Sequence, residues 1–405
     1  MALLPYLDYA ASTPTDPRVM AKMAQFSGPE GIFANPSSAH PAGQAAAQAV
    51  ATAKQQVLNA VGANAYALTW TSGATEADNL AILGRALALA KRQHQQRRIL
   101  VCATEHSAVL EAAYAAQSHG FVVEHIGVQP DGLINTAELV ATLDVDVALV
   151  SVAHMNNETG VIQDLSEIAQ ATHAVGALLH VDAAQSAGRL SFDADALEID
   201  LISLSAHKFY GPKGIGGLCH APHVRLAPLI HGGGQQNGLR SGTLPVALIV
   251  GMGEAFRQRD EPAEQARQQA LKDSLYAQLA SLGGVVLNGR KEGSAHILNV
   301  SFAGVHGAAL RAALTDLAVG FGSACSTKHG PSHVLRAMQR PDPLAHASVR
   351  ISIGRFTEAD ELELAGEFIA DAVRKLRAIS PIWREYRQGA ALETVYSVTT
   401  PLELA

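Results

Sequence analysis

The sequence predicts an α/β fold: a mainly parallel sheet with helices on both faces, followed by a smaller α+β unit. Three observations predict it. Short β-rich runs alternate with helical patterns across residues 42–255, which is how a sheet built from strand–helix–strand crossovers reads. The residues best suited to hold a ligand stand at the carboxyl ends of those runs, where open sheets of this kind bind their ligands. After a charged, glutamine-rich stretch at 257–272 the character changes, and a chain of 405 residues is too long for one small core.

In chain order, seven runs carry the sheet: 67–70, 98–102, 121–124, 147–151, 177–182, 201–204 and 216–219. Helical patterns at 43–61, 76–92, 107–119 and 165–175 lie between them. The stretch 257–272 reads as one long helix leaving the sheet. In the smaller unit, strands are expected at 296–302 and 349–353 and helices at 307–317 and 358–377, with the first dozen residues joining them. The predicted division is a large domain at 15–260 and a small domain formed by 1–14 and 261–405, with a mobile tail from 395 onward. There is no internal repeat or low-complexity tract.

Apolar residues make up 48% and charged residues 17%, the composition of a well-buried globular protein. A net charge of −7 gives no electrostatic case for direct nucleic-acid binding or for an anionic membrane. The three cysteines are few, odd in number and widely spaced, which argues against a disulfide framework and fits a reducing cytoplasm. The first residues lack the basic head and apolar stretch of a signal peptide. The apolar run 244–250 is far shorter than the roughly 18 residues of a membrane span.

Lys208 follows an apolar strand in Ser203-Leu204-Ser205-Ala206-His207-Lys208, and Asp182 closes another in Leu178-Leu179-His180-Val181-Asp182. A lysine and an aspartate at neighbouring strand ends suit pyridoxal 5'-phosphate: the amine links to its aldehyde, and the carboxylate keeps its ring nitrogen protonated so that the ring draws electrons. Burial of Lys208 is expected to depress its pKa, as imine formation requires. Taken singly, Asp182 equally suits a helix cap. Thr71-Ser72-Gly73-Ala74-Thr75-Glu76 joins a strand to a helix, where free amides and the helix dipole suit a phosphate, although an ordinary Ser/Thr cap reads the same way.

His106, one of 17 histidines, stands at another strand end, where an imidazole can stack on a ring or pass protons. The amides of Asn156 and Asn157 follow a strand and suit either a ring hydroxyl or a turn. Cys102 and Cys219 lie within apolar strands and read as inert core residues. Cys325 instead lies in Gly322-Ser323-Ala324-Cys325-Ser326, in a polar loop expected to be flexible. A thiol placed there can act as a nucleophile and carry a product away. No zinc-ligand spacing and no dinucleotide fingerprint is present.

Together these residues resemble a cysteine desulfurase of the NifS/IscS type within the class V aminotransferases. The resemblance runs from Tyr6-Leu7-Asp8-Tyr9-Ala10 to about Gly389. It rests on Asn35-Pro36-Ser37-Ser38-Ala39-His40, Thr71 to Asn79, Asn156-Asn157-Glu158-Thr159-Gly160-Val161, His180 to Ser186, His207-Lys208, Arg240-Ser241-Gly242-Thr243 and Gly322-Ser323-Ala324-Cys325. It implies a fold-type I, pyridoxal phosphate-dependent transferase acting as a homodimer on L-cysteine, with no metal. Lys208 would hold the cofactor, Asp182 would pair with its ring nitrogen and His106 would stack on its ring. Asn157 and Gln185 would meet the ring hydroxyl. Ala74, Thr75, Ser205 and His207 would hold the phosphate, with Thr243 arriving from the other subunit. Arg350, assisted by Asn35, would clamp the substrate carboxylate, and Cys325 would take the sulfur and pass it to an acceptor protein.

The chain departs from the resemblance in having Gly320-Phe321 where two serines are usual, a loop one residue shorter after Cys325, and a dissimilar tail from Leu392. Iron–sulfur cluster assembly, tRNA thiolation and DNA phosphorothioation all draw on this chemistry, and the residues do not choose among them. A selenocysteine lyase, an aminotransferase or a non-catalytic sulfur-relay partner are the competing readings. Transamination needs no thiol, so Cys325 discriminates against it.

Overall fold

The computed structural model describes residues 5–92, 94–259, 261–322 and 330–396. After α1 (Pro17–Ala24) and α2 (Pro41–Ala60), strands and helices alternate: β1 (Ala67–Thr71), α3 (Ala74–Lys91), β2 (Arg98–Cys102), α4 (Ser107–Gln117), β3 (Val122–Ile126), α5 (Thr136–Thr142), β4 (Val147–Ala153), α6 (Leu165–Ala174), β5 (Leu178–Asp182), β6 (Leu201–Ser205) and β7 (Gly216–His220). All seven expected strands form, and they make one sheet in the order β1-β7-β6-β5-β4-β2-β3. Only β7 runs against its neighbours; β6, β5, β4, β2 and β3 are mutually parallel.

Apart from its edge strand β3, the sheet is buried on both faces, which explains why its strands read as apolar runs. One core packs Leu100, Val150, Val181 and Ile202 against Val57, Leu139, Ile168 and Ile249 from α2, α5, α6 and α7 (Val246–Arg257). The other packs Ile99, Leu149 and Leu218 against Leu80 and Ile82 of α3 and Val109 of α4. Successive strand residues therefore serve opposite cores, as the period of two requires.

The expected single helix over 257–272 does not form. Arg257 ends α7, and α8 (Pro262–Ala280) starts afresh with proline in its first turn and Glu261 extended before it. Pro262 has no N–H to continue α7 and pushes the preceding residue out of helical geometry, so the break is written in the sequence.

The remaining elements are β8 (Val285–Leu287), β9 (Ile297–Phe302), α9 (Gly307–Ala313), α10 (His333–Ala337), α11 (Asp342–His346), β10 (Ser348–Ser352), α12 (Ala359–Ala378), α13 (Pro381–Arg387) and α14 (Leu392–Val395). A three-stranded antiparallel sheet, β10-β9-β8, shares a third core with α8, α9 and α12, and Leu7 is fully buried in it. The N-terminal strap reaches that sheet through bridges from Tyr6 to Ala318 and from Asp8 to Ser352. Among the described residues no helix is long and apolar enough to cross a membrane.

Candidate active site

The carboxyl ends of β1, β4, β5 and β6 open into one cavity of about 560 Å³ whose lining includes Gly73, Ala74, Thr75, His106, Asn157, Asp182, Gln185, Ser205, His207, Lys208 and Arg350. All of these but Gly73 were expected site residues, and the ten converge in a volume suited to one small ligand.

Each is placed by a local feature. Asp182 is the last residue of β5, and β6 pairs beside it; a short 3₁₀ turn, Ala206–Lys208, then carries the lysine. Lys208 is half-buried rather than buried, because its side chain ends in the cavity; Nζ donates to the carbonyls of Ala10 (2.8 Å) and Ala11 (3.0 Å). Asp182 is buried and accepts from the Ala184 amide at 2.8 Å. Burial pushes its carboxyl above the usual range, while His106 and Lys208 oppose the shift. A carboxylate so desolvated gains most from a cationic ligand group.

Helix α3 begins at Gly73 with no side chain capping it, so the ordinary Ser/Thr-cap reading fails, and its first residues, Ala74 and Thr75, line the cavity. Gly216 makes this arrangement possible: a Cβ there would lie 2.4 Å from the Leu204 carbonyl oxygen and 2.7 Å from the Gly73 backbone. His207 borders the cavity with Nδ1 3.2 Å from Ser12 Oγ, and burial, with help from Lys208 and Lys213, lowers its pKa to about 4.

His106 caps α4, its Nδ1 accepting from the Ala108 amide at 3.1 Å. The neutral ring must then carry its proton on Nε2. Burial lowers its pKa, so the neutral form is favoured. The two asparagines divide the alternatives left by the sequence. Asn156 is buried and builds the turn, with Oδ1 accepting from Glu158, Thr159 and the Thr159 hydroxyl, whereas Asn157 faces the cavity. Gln185 donates to the Ala10 carbonyl at 2.8 Å, leaving its buried Oε1 without a hydrogen-bond donor. Arg350 projects from β10 and donates to the carbonyl of Asn157 (2.8 Å) and to Asp8 (2.6 Å).

Two expected residues lie apart from this cavity within one chain. Asn35 and Thr243, both exposed, line a separate cavity of about 290 Å³ with Phe33 and Pro36. Cys325 and the loop around it fall outside the described residues. Cys102 and Cys219 are buried, and burial raises both thiols to about 12. Sequence reasoning assigned no role to Asp8, Asp78, Glu105 or Lys213. Asp78 and Lys213 line the cavity, and burial drives the carboxyls of Asp78 and Glu105 well upward, Asp182 adding to both shifts. Only the position of Asp78 one turn into α3 could have signalled its place. Among the described residues no cluster of histidine, cysteine and carboxylate side chains could hold a metal ion.

The model of the "Aminotransferase class-V" family matches residues 5–364. The chain belongs to the class-V aminotransferases. Within that family it is 48% identical over 402 residues to "Cysteine desulfurase IscS" of Tolumonas auensis, covering 98% of this chain and 99% of that protein. The protein of the same name from Escherichia coli O139:H28 is 45% identical with the same coverage. Among solved structures, a "NifS-like protein" superimposes with a TM-score of 0.84 at 32% identity, covering 92% of this chain and 100% of that one. DndA from Streptomyces lividans gives 0.72 at 38% identity, with 86% and 99% covered. The structure titled "SspA in complex with cysteine" gives 0.76 at 33%, with 87% and 99% covered. The class-V chain thus has the fold-type I architecture that its seven-stranded sheet displays.

Proposed function

We propose that this chain is a pyridoxal 5'-phosphate-dependent cysteine desulfurase. It converts L-cysteine to L-alanine and keeps the sulfur on Cys325 for an acceptor. One observation carries the reading: Lys208, Asp182, His106 and Arg350 share a cavity with the uncapped start of α3. The relatives named cysteine desulfurase match it over nearly their whole length.

The cavity fits the cofactor by its unmet groups. The Gln185 Oε1 lacks a donor that a ring hydroxyl would supply, Asp182 is desolvated where a protonated ring nitrogen would neutralise it, and α3 starts at the cavity without a side-chain cap. When bound, pyridoxal phosphate supplies an electron sink for bonds broken at the substrate α-carbon. Ala74, Thr75, Ser205 and His207 would hold its phosphate, and Lys208 its aldehyde carbon. Asn157 would join Gln185 at the hydroxyl.

Arg350 orients L-cysteine by its carboxylate, and Lys208 Nζ is the group in the cavity that takes the α-proton. His106 lines the cavity as a neutral ring with its proton on Nε2. The Cys325 thiolate attacks the substrate sulfur: an S–S bond forms, the Cβ–S bond breaks, and the electrons stay with the carbon skeleton, which takes up protons to become alanine. The balance is one cysteine and one thiol giving one alanine and one persulfide, with no external oxidant.

The exposed Thr243, grouped with Phe33 and Asn35 away from Lys208, supports a homodimer in which these residues complete the partner's site. The separate core of the smaller sheet supports a division near residues 15 and 260, with Val334, Leu335, Met338 and Ala345 packing back onto the core of the larger sheet. A net charge of −7 and the absence of a membrane-crossing helix among the described residues support a soluble protein of the cytoplasm that hands sulfur to a protein acceptor. The test is stoichiometry. Purified protein with pyridoxal phosphate, L-cysteine and a thiol reductant is expected to yield L-alanine and sulfide in equal amounts. Pyruvate and ammonia in place of alanine would overturn the proposal.

A further inference from the structure

Arg350 meets two acceptors before any substrate arrives. Its Nη1 donates to the carbonyl of Asn157 at 2.8 Å, and Nη2 pairs with Asp8 Oδ1 at 2.6 Å. The guanidinium also lies against bare backbone. Gly320 and Arg350 exchange main-chain hydrogen bonds of 2.9 and 2.8 Å, and a Cβ on Gly320 would sit 2.7–2.9 Å from Nε, Nη2 and Cζ. The departure from two serines at Gly320-Phe321 thus includes the one residue that leaves this room. Arg350 lines the cavity, whereas Asp8 does not. Asp8 reaches the guanidinium from the strap, which β10 holds through Ser352: the Ser352 amide donates to the Leu7 carbonyl at 2.8 Å, and the Ala10 amide to the Ser352 hydroxyl at 2.9 Å.

Two physical consequences follow. A guanidinium has five N–H donors, and the pairing with Asp8 and Asn157 fixes its plane while leaving others for an incoming carboxylate. The Asp8 charge also neutralises Arg350, so a substrate carboxylate binds a cation that already has a counter-ion within contact distance. Like charges sharing one cation repel, which weakens whatever carboxylate comes second. L-alanine, the product, keeps the carboxylate of L-cysteine and loses only its sulfur. A strong clamp would retain it.

We propose that Asp8 is a positioning and affinity-setting residue: it orients the Arg350 guanidinium and, as a standing counter-ion, holds the affinity for amino-acid carboxylates low enough for the product to leave. This rests on Arg350 being the substrate clamp. The strap adds a link to the other end of the substrate, because the Ala10 and Ala11 carbonyls, two and three residues on, accept from Lys208 Nζ. One short segment therefore steadies both the group that takes the carboxylate and the amine that takes the proton.

The experiment compares Asp8→Asn, Asp8→Ala and Asp8→Glu with wild type in cofactor-loaded protein, measuring kcat and KM for L-cysteine and the inhibition constant of L-alanine. Asp8→Asn keeps an acceptor for Nη2 but removes the charge. Its inhibition constant for L-alanine is expected to fall about fivefold or more, with KM falling alongside and the visible spectrum of the bound cofactor unchanged. Asp8→Glu should keep the wild-type constant. Asp8→Ala, which frees the guanidinium as well, should lose kcat that Asp8→Asn retains. Equal behaviour of the asparagine and alanine variants, tracking their thermal unfolding, would mark Asp8 as merely structural and overturn the proposal. So would an L-alanine constant unchanged within about twofold in Asp8→Asn. Arg350→Ala run in parallel separates the two claims: an unchanged KM there removes the clamp itself, whereas a raised KM with an insensitive Asp8 removes only the proposal.

Discussion

Gly216→Ala is a sharp test of where the phosphate sits. The new Cβ would lie 2.4 Å from the Leu204 carbonyl oxygen and 2.7 Å from two Gly73 backbone atoms. All three neighbours are main chain, so no rotamer change relieves the clash. Gly216 pairs with Thr71 on β1 and Ser205 on β6, which fixes it between the two strand ends that flank the cavity. Relief therefore requires Gly73, and with it the first turn of α3, to retreat by most of an ångström. Overpacking of this kind costs about 1–3 kcal/mol. If the retreat breaks one charge-assisted amide–phosphate contact, a further 1.5–3 kcal/mol or so is lost from cofactor binding, about 10- to 100-fold in dissociation constant. Titrating cofactor-free protein with pyridoxal phosphate and following its visible absorbance measures this directly. A dissociation constant within about twofold of wild type, in a variant that melts at a lower temperature, would refute the placement of the phosphate at the start of α3.

Other outcomes follow from the same structure. Cys325→Ser is expected to bind cofactor normally while losing alanine and sulfide formation by orders of magnitude, as removal of a nucleophile does; full activity would redirect the chemistry to elimination or to another thiol. Cys102 and Cys219, pushed up to about 12 by burial, should resist an alkylating reagent in the native protein at neutral pH, and rapid labelling of either would contradict their burial. His173 bonds Asp200 at 3.0 Å, which raises its pKa above 6.5. Its stabilising contribution is therefore complete below the unfolded pKa near 6.5 and is lost as pH rises through the higher folded value. His173→Gln should accordingly destabilise the protein more at pH 5.5 than at pH 8 or so, and parallel stability curves for variant and wild type would count against the pairing.

The sheet was legible because its strands are buried on both faces and so read as apolar runs; even β3, with Val122 exposed, kept its β-branched residues. Elements too short to show a period, such as β8 and α5, left no such trace. The false helix across 257–272 came from weighting charge pattern over Pro262, the stronger signal. For the candidate site, strand-end positions pointed to Lys208, Asp182 and His106, and the sheet topology gathers all three at one cavity. Asp8 could not be found in this way. Its partner lies 342 residues away, and only the pairing of the strap with β10 brings them together. The burial of Asp78 and Glu105 is likewise created by packing between distant segments, which local pattern does not encode.

Lys208 and Cys325 are proposed to act in sequence on one substrate molecule, the amine at its α-proton and the thiol at its sulfur. This order is tested most directly by incubating the cofactor-loaded protein with L-cysteine, omitting reductant, and weighing its peptides. One added sulfur atom is expected on the peptide carrying Cys325, matched by one L-alanine released per site and absent from Lys208→Ala. Alanine released without added sulfur on that peptide, or sulfur appearing there in Lys208→Ala, would contradict it.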